Sequence, residues 1–302
     1  MRAKKVFIIF LASILLLVVF ALMLSVAFQS LQPGISLFGG NVALISIEGE
    51  ISNEEVLFLS NKTAFDLVDE IEMAENDPTV SAILLEINSS GGSPVATRQL
   101  TEKILSAGEK KPVVAWISDV GASAGYYIAA SSDLVVADPD SLTGSIGAIS
   151  VIPDYSELFE KLGIEMRVFK SGEFKDMGSP FRDINEEERE MLNEIIQQAT
   201  ENFKEEIKEF RGERLDTEEF EKIADGRILT GKQAQEIGLV DELGTRNYAL
   251  KRAGEMAGIE KPVLKSYELQ GFSLTDLFSR AGYALGTGFR EGLSSQNLSI
   301  ES

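Results

Sequence analysis

A serine flanked by small residues follows an apolar stretch and is the side chain best placed to act as a nucleophile. Residues 121–125 have the sequence Gly-Ala-Ser-Ala-Gly, with Ser123 at the centre, shortly after the apolar residues 112–117. Small neighbours let a chain turn sharply from a strand into a helix, where backbone N–H groups can bind an oxyanion. On its own the motif is short, and a close-packed helix start explains it equally well.

The absence of two residue types restricts the chemistry available to this serine. The 302 residues include no histidine and no cysteine. A Ser-His-Asp triad, a thiol nucleophile, disulfides and zinc sites built from these residues are therefore excluded. Acid–base chemistry must use aspartate, glutamate, lysine, tyrosine or serine. No calcium-loop pattern is present, and we expect neither a metal nor another cofactor.

Three further segments combine glycine with polar residues. Residues 88–94 (NSSGGSP) follow an apolar run and are expected to form a turn, which could also supply a backbone N–H to an oxyanion. Residues 143–147 (TGSIG) are expected to form a loop. Residues 169–176 (FKSGEFKD) contain Lys175, which no local feature distinguishes from the other lysines. Each segment alone is a weak signal.

The elements that must position these segments alternate between strands and helices. This order predicts an α/β fold with a largely parallel sheet. The predicted strands are residues 41–47, 80–87, 112–117 and 134–137, and the predicted helices between them are residues 64–75, 95–107 and 122–131. A long amphipathic helix is predicted over residues 185–210 with Asn185 as its N-cap, and shorter helices over 218–224, 231–237 and 246–257.

An uncharged apolar run near the N-terminus predicts a membrane anchor. Residues 6–28 are long enough to span about 30 Å of hydrocarbon, and Arg2, Lys4 and Lys5 precede them. The positive-inside rule then places the N-terminus in the cytoplasm and the rest of the chain outside. The alternative is a cleaved signal peptide, although 23 apolar residues exceed the usual length of one. We divide the chain into residues 1–28 (cytoplasmic end and anchor), 29–40 (linker), 41–265 (catalytic domain) and 266–302 (tail).

The region beyond this segment is strongly acidic. From position 48 onwards it has 25 basic and 48 acidic residues, a formal net charge of −23. Phosphate backbones and anionic lipid surfaces require basic patches, so nucleic acids are excluded as partners, and the domain is not expected to lie flat on a membrane.

Taken together, the four segments resemble the motifs of the signal peptide peptidase A family in its short, membrane-anchored form. Similarity extends from about Ala43 to Thr245, in the same order and with similar spacing. NSSGG resembles the family's NxPGG loop, with Ser90 in place of the usual proline. The other matching segments are GASAGYYIA, SLTGSIGAI, FKSGEFKDMGSPFR and ADGRILTGKQAQEIGLVDELG.

The resemblance implies roles for individual residues. Ser123 would be the nucleophile, Lys175 the general base, and Ser145 the residue that positions the lysine amine. The backbone N–H groups of Gly92 and Ala124 would form the oxyanion hole. The implied fold is similar to that of Clp protease and crotonase, with repeated ββα units. A lysine base must be neutral, which requires its pKa to fall from ~10.4 to around 7–8.

The resemblance also implies assembly and substrate class. Short members of the family form ring-like homo-oligomers, octameric in the best-known type, with active sites shared between subunits. They degrade remnant signal peptides and other extended apolar peptides. Three alternatives remain open: a related Ser-Lys protease that cuts specific membrane proteins, a crotonase-type acyl-CoA enzyme, and an inactive membrane scaffold.

Overall fold

The described part of the molecule is residues 41–54 and 62–267 of the computed structural model. The predicted membrane anchor, the linker and nearly all of the predicted tail lie outside these residues. Within the described ranges, no helix is long and apolar enough to cross a membrane. The anchor therefore stays a prediction from the sequence.

A mostly parallel sheet forms the centre of the described region. Its spatial order is β6-β5-β3-β2-β1-β8, and β4 connects β3 with β7. Of these pairs only β5 with β6 is antiparallel. The strands are β1 (Val42–Ile51), β2 (Ala82–Gly92), β3 (Val113–Ala122), β4 (Leu134–Ala137), β5 (Leu142–Gly144), β6 (Ile228–Thr230), β7 (Glu242–Leu243) and β8 (Leu264–Ser266).

Helices alternate with most of these strands, which confirms the predicted α/β class. They are α1 (Ala64–Asn76), α2 (Pro94–Gly108), α3 (Ala124–Ala130), α4 (Ser156–Lys161), α5 (Glu186–Arg211), α6 (Thr217–Ile223), α7 (Gly231–Glu236) and α8 (Arg246–Met256). A 3₁₀ turn, Gly212–Arg214, follows α5. The central strands are buried on both faces because helices cover both sides, as expected for a parallel sheet.

The two faces of the sheet pack against different helices. On one face, apolar side chains of α1, α2 and α3 form the larger core with alternate residues of the strands. On the other face, Ala249 and Ala253 of α8 pack with Val42, Leu84 and Val114. These alanines are small enough to bring α8 close to the sheet. The middle of the sheet is thus held between two packed layers.

Strands β2 and β3 extend further than their hydrophobic runs predict. Residues 88–92 belong to β2, so the turn predicted over 88–94 is wrong at these positions, and β3 continues through residues 118–121 beyond its predicted end at 117. The register between β1 and β2 shifts between Glu48 and Glu50, and that between β2 and β3 shifts between Ile87 and Ser89. These irregularities let polar, glycine-containing sequence continue the pairing beyond the apolar runs.

The N-terminus of α5 forms as its sequence predicts. The Asn185 side chain accepts a hydrogen bond from the Glu188 N–H at 2.8 Å, and the Glu188 carboxylate accepts one from the Asn185 N–H at 3.2 Å. This reciprocal capping box satisfies donors that the first turn of a helix leaves free. The prediction of Asn185 as the N-cap is therefore confirmed.

Candidate active site

Ser123 lies at the junction between β3 and α3 in a strained backbone conformation. Its φ is 53° and its ψ is −122°, a combination that costs free energy for any residue with a side chain. Ser123 is partly exposed, whereas every residue of α3 behind it is buried. The turn therefore presents the Ser123 hydroxyl at the surface on a rigid support, as nucleophilic attack requires.

Gly91 of β2 lies directly against Ser123. A Cβ built on Gly91 would come within 2.9 Å of the Ser123 Cβ, 3.1 Å of its Oγ and 3.2 Å of the Ala124 nitrogen. The φ of Gly91 is +119°, which side chains rarely allow. Glycine at position 91 therefore leaves open the space beside the hydroxyl and the first N–H of α3. Sequence reasoning identified the Gly-Gly pair but did not assign this role to Gly91.

The two residues predicted to form the oxyanion hole are held by different contacts. Ala124 is the first residue of α3, and its nitrogen faces Gly91. Gly92 packs closely on β1, where a Cβ would come within 2.1 Å of the Ile51 carbonyl oxygen. That contact fixes the main chain at the end of β2. The use of the Gly92 and Ala124 N–H groups to bind an oxyanion stays a prediction.

Ser145 lies beside Ser123 because they follow neighbouring parallel strands. Ala122 of β3 pairs with Gly144 of β5, and the Ser123 N–H donates to the Gly144 carbonyl at 2.8 Å. Ser145 has a φ of 51°. Among the described residues, these two serines are the ones other than glycine with positive φ. The structure thus brings together two of the residues that the sequence predicts for the site.

A later part of the chain holds Ser145 in this conformation. The Ser145 N–H donates to the Arg227 carbonyl at 2.8 Å, and β6 pairs with β5 immediately afterwards. Thr143 Oγ1 donates to the Gly121 carbonyl at 2.6 Å and links β5 to β3 from the other side. Thr143 and Arg227 lie in segments that the sequence analysis singles out, but these roles were not assigned because each is a contact between distant segments.

Two tyrosines anchor α3. The Tyr126 hydroxyl donates to the Leu239 carbonyl at 2.8 Å, and burial raises the pKa of Tyr126, so this donor stays protonated. The Tyr127 ring makes edge contacts with Phe203 and Phe210 of α5, with ring centroids 5.4 and 5.3 Å apart. These contacts fix the helix whose first N–H lies beside the nucleophile.

Lys175 lies in a different environment from the two serines. It belongs to residues 149–184, here called the arm, which includes α4 and is largely exposed. The Lys175 side chain is exposed, and within the described residues no hydrogen bond joins it to Ser123 or Ser145. Among the described residues, the predicted base is therefore not hydrogen-bonded to the predicted nucleophile within one copy of the chain.

The arm is attached to α5 through charged groups around Arg182. Its guanidinium binds Asp176 at 2.8 Å and Glu188 at 2.8 Å, and Lys170 also binds Asp176 at 2.8 Å. Arg182 and then Lys170 lower the pKa of Asp176, and Arg182 lowers that of Glu188. Both carboxylates therefore stay ionised at neutral pH, and Asp176 pairs with cations other than its neighbour Lys175.

Arg182→Met is expected to loosen the arm at neutral pH by leaving two carboxylates without their main partner. Amide hydrogen exchange of residues 150–180 should accelerate several-fold at pH 7. Because the folded-state pKa values of both carboxylates are lowered, their stabilising effect is complete above the usual carboxylate range near 4 and declines as the pH falls below it. Arg167→Met is the control, since Arg167 pairs with the exposed Glu165. Equal exchange in the two variants would rule out this role.

The combined geometry suits nucleophilic acyl transfer. A strained, partly exposed serine lies beside Gly91, a helix N–H and a second serine. Within residues 41–54 and 62–267, no group of three or more acidic side chains is arranged to hold a metal ion. The serine hydroxyl is the nucleophile that this arrangement makes available.

Comparisons with known proteins agree with this chemistry. Residues 106–260 match the family described as "Peptidase family S49". This range includes Ser123, Ser145 and Lys175.

Similar proteins occur in archaea, bacteria and plants. "Putative protease MJ0651" of Methanocaldococcus jannaschii is 34% identical over 93% of this chain and 94% of its own length. "Putative signal peptide peptidase SppA" of Enterococcus faecium is 32% identical over 74% of this chain and 64% of its own length. "Serine protease SPPA, chloroplastic" of Arabidopsis thaliana is 30% identical over 82% of this chain, which spans only 38% of that protein.

Proposed function

The chain belongs to peptidase family S49 and is a serine-type peptidase, and on that premise we propose that it is a membrane-anchored endopeptidase with a Ser-Lys dyad. Ser123 is the proposed nucleophile and Lys175 the general base, with Ser145 positioning the lysine amine. Gly92 and Ala124 supply the oxyanion-binding N–H groups. The proposed substrates are remnant signal peptides and other extended apolar peptides.

The observation that carries this proposal is the conformation of Ser123. Strained backbone at a non-glycine residue persists only where the surrounding structure enforces it, and it concentrates at functional sites. Here the strain coincides with a serine next to Gly91 and the first N–H of a buried helix. A serine needed only for packing would not require positive φ.

The proposed reaction has two steps. The neutral Lys175 amine takes the proton from Ser123 Oγ as this oxygen attacks the scissile carbonyl carbon, and the oxyanion binds the Gly92 and Ala124 N–H groups. The C–N bond then breaks, the lysine ammonium protonates the leaving amine, and an ester on Ser123 remains. A water molecule, deprotonated by the same amine, hydrolyses the ester and restores the serine.

We infer that the lysine of each site comes from a second copy of the chain. Lys175 lies on the exposed arm and, among the described residues, makes no hydrogen bond to the serine of its own chain. The arm also exposes large apolar side chains, with Ile149 at 84%, Val151 at 80% and Phe169 at 95% exposure. Contiguous exposed apolar groups are typical of contact surfaces. A homo-oligomeric ring in which the arm contacts a neighbour would cover these groups and complete the site.

The remaining parts of the proposal follow from the sequence and from the family. The apolar residues 6–28 support a single-pass anchor with a cytoplasmic N-terminus and an extracytoplasmic catalytic domain. The alternation of strands and helices is compatible with the Clp protease and crotonase fold that the family resemblance implies. The name of the Enterococcus faecium relative supports signal peptides as the substrate class.

The test measures peptide hydrolysis by the full chain in detergent, with Ser123→Ala as the blank for contaminating proteases. An apolar fluorogenic peptide should be hydrolysed with a kcat/KM at least about 10-fold above that of a matched peptide with charged side chains. A synthetic signal peptide should be cut into fragments detectable by mass spectrometry, and a folded protein should stay intact.

Two other results would change the assignment. Cleavage of membrane proteins but not of signal peptides would favour the related Ser-Lys protease. No Ser123-dependent hydrolysis of any substrate by the assembled protein would contradict the proposed activity and favour a scaffold.

A further inference from the structure

Ser89 is a buried hydroxyl close to the site that the proposed mechanism does not use. It lies in β2, only 1% exposed, two residues before Gly91. Its Cα partner in β3 is Gly121, two residues before Ser123. Ser89 therefore lies on the same strand as Gly91, opposite the residue of β3 that comes two positions before the nucleophile.

The Ser89 hydroxyl joins two irregular backbone segments. Its Oγ donates to the Gly49 carbonyl of β1 at 2.5 Å and accepts the Gly91 N–H at 3.2 Å. Gly49 has a φ of +74° and lies where the register between β1 and β2 shifts. A buried hydroxyl that donates to one backbone group and accepts from another leaves neither unpaired.

The first turn of α3 also packs on Ser89. A Cβ built on Gly125 would come within 2.6 Å of the Ser89 carbonyl oxygen and 3.3 Å of its Cβ. Movement of Ser89 would therefore displace both Gly91 and the helix start that follows Ser123. The residue contacts each backbone segment that borders the open space next to the nucleophile.

We propose that Ser89 is a positioning residue for the reaction: its hydroxyl holds Gly91, and its backbone and Cβ support the start of α3, at the spacing that the oxyanion requires. This inference rests on the proposed role of Ser123 as the nucleophile. Preorganised N–H groups act on the charge that develops in the transition state and contribute little to substrate binding. Loss of the hydroxyl should therefore lower kcat and leave KM nearly unchanged.

Ser89→Ala is the test variant, and Ser131→Ala is the matched control. Ser131 is also buried, and its hydroxyl donates to the Ile128 carbonyl at 2.8 Å at the far end of α3. Hydrolysis of the apolar peptide by the full chain should show a kcat about 10- to 100-fold lower for Ser89→Ala and unchanged for Ser131→Ala. A peptide boronic acid, which forms a tetrahedral adduct with the serine, should bind Ser89→Ala more weakly by the same factor.

Ser89→Thr keeps the hydroxyl and should recover most of the lost kcat and boronate affinity. If it is as slow as Ser89→Ala, or if Ser89→Ala loses stability but keeps its kcat per active site, the proposal is wrong. If Ser89→Ala does not fold, Ser89→Thr provides the test. Any change in its kcat must then be matched by an equal change in its affinity for the boronic acid, with KM constant. If the Ser123→Ala variant hydrolyses the peptide at the wild-type rate, the proposed function is wrong, and the proposed role of Ser89 is wrong with it.

Discussion

Lys175→Ala is expected to lower kcat about 10⁴-fold or more, because no histidine is present to replace the lysine as base. Substrate binding should change little, since the amine acts on the serine proton and not on the peptide. Steady-state kinetics of the full chain on the apolar fluorogenic peptide measures kcat and KM separately.

Lys170→Ala is the matched control, because Lys170 lies in the same arm and binds Asp176 and the Glu173 carbonyl. It should keep a kcat within a few-fold of the wild type. Mixing Lys175→Ala with Ser123→Ala chains before assembly should restore activity if each site takes its serine and lysine from different copies. An equal loss of kcat in Lys170→Ala and Lys175→Ala would show that the arm needs its positive charge and does not supply the general base. An inactive mixture of co-assembled chains would contradict shared sites.

Gly91→Ala should lower kcat by about 10³-fold through two effects that act at the same point. The new Cβ would come within 2.9 Å of the Ser123 Cβ, and a φ of +119° is unfavourable for alanine. Relief of either strain moves the Ser123 hydroxyl or the Ala124 N–H, and loss of one oxyanion donor alone typically costs 10²- to 10³-fold in kcat. Kinetics and thermal unfolding of the full-chain variant, measured together, separate catalytic from global effects.

Gly108→Ala provides the comparison for that variant. Gly108 ends α2, and a Cβ there would meet only the Asp133 carboxylate at 3.8 Å or more. Alanine should be tolerated at this position, with activity and stability close to the wild type. A Gly91→Ala protein that hydrolyses peptide at the wild-type rate would show that the space next to Ser123 is not part of the reaction path.

The sequence predicts most of the fold because the central strands are buried on both faces and form continuous apolar runs. It fails at the ends of β2 and β3, where NSSGG and SDVG have the composition of turns. There the neighbouring strands supply hydrogen bonds to residues with low strand propensity. Because this pairing is non-local and passes through two register shifts, residue preferences cannot indicate it.

The site is predictable only in part for the same reason. Ser123 is suggested by its glycine-flanked motif, whereas Ser145 is assigned by family resemblance, and both have positive φ in the structure. Gly91 and Ser89 act through contacts with residues about 30 to 40 positions away in the chain, which no local pattern encodes. Lys175 is assigned by family resemblance, and its exposed position in a single copy could not be deduced from its neighbours in the sequence.

The hydrogen bond from the Ser145 N–H to the Arg227 carbonyl affects when the site can form during synthesis of the chain. Ser145 is synthesised long before Arg227, and contacts between distant segments form late because closing a long loop costs entropy. The segment that contains Ser123 therefore leaves the ribosome before the segment that completes the site. The site is therefore expected to be complete only after the C-terminal half of the chain has folded.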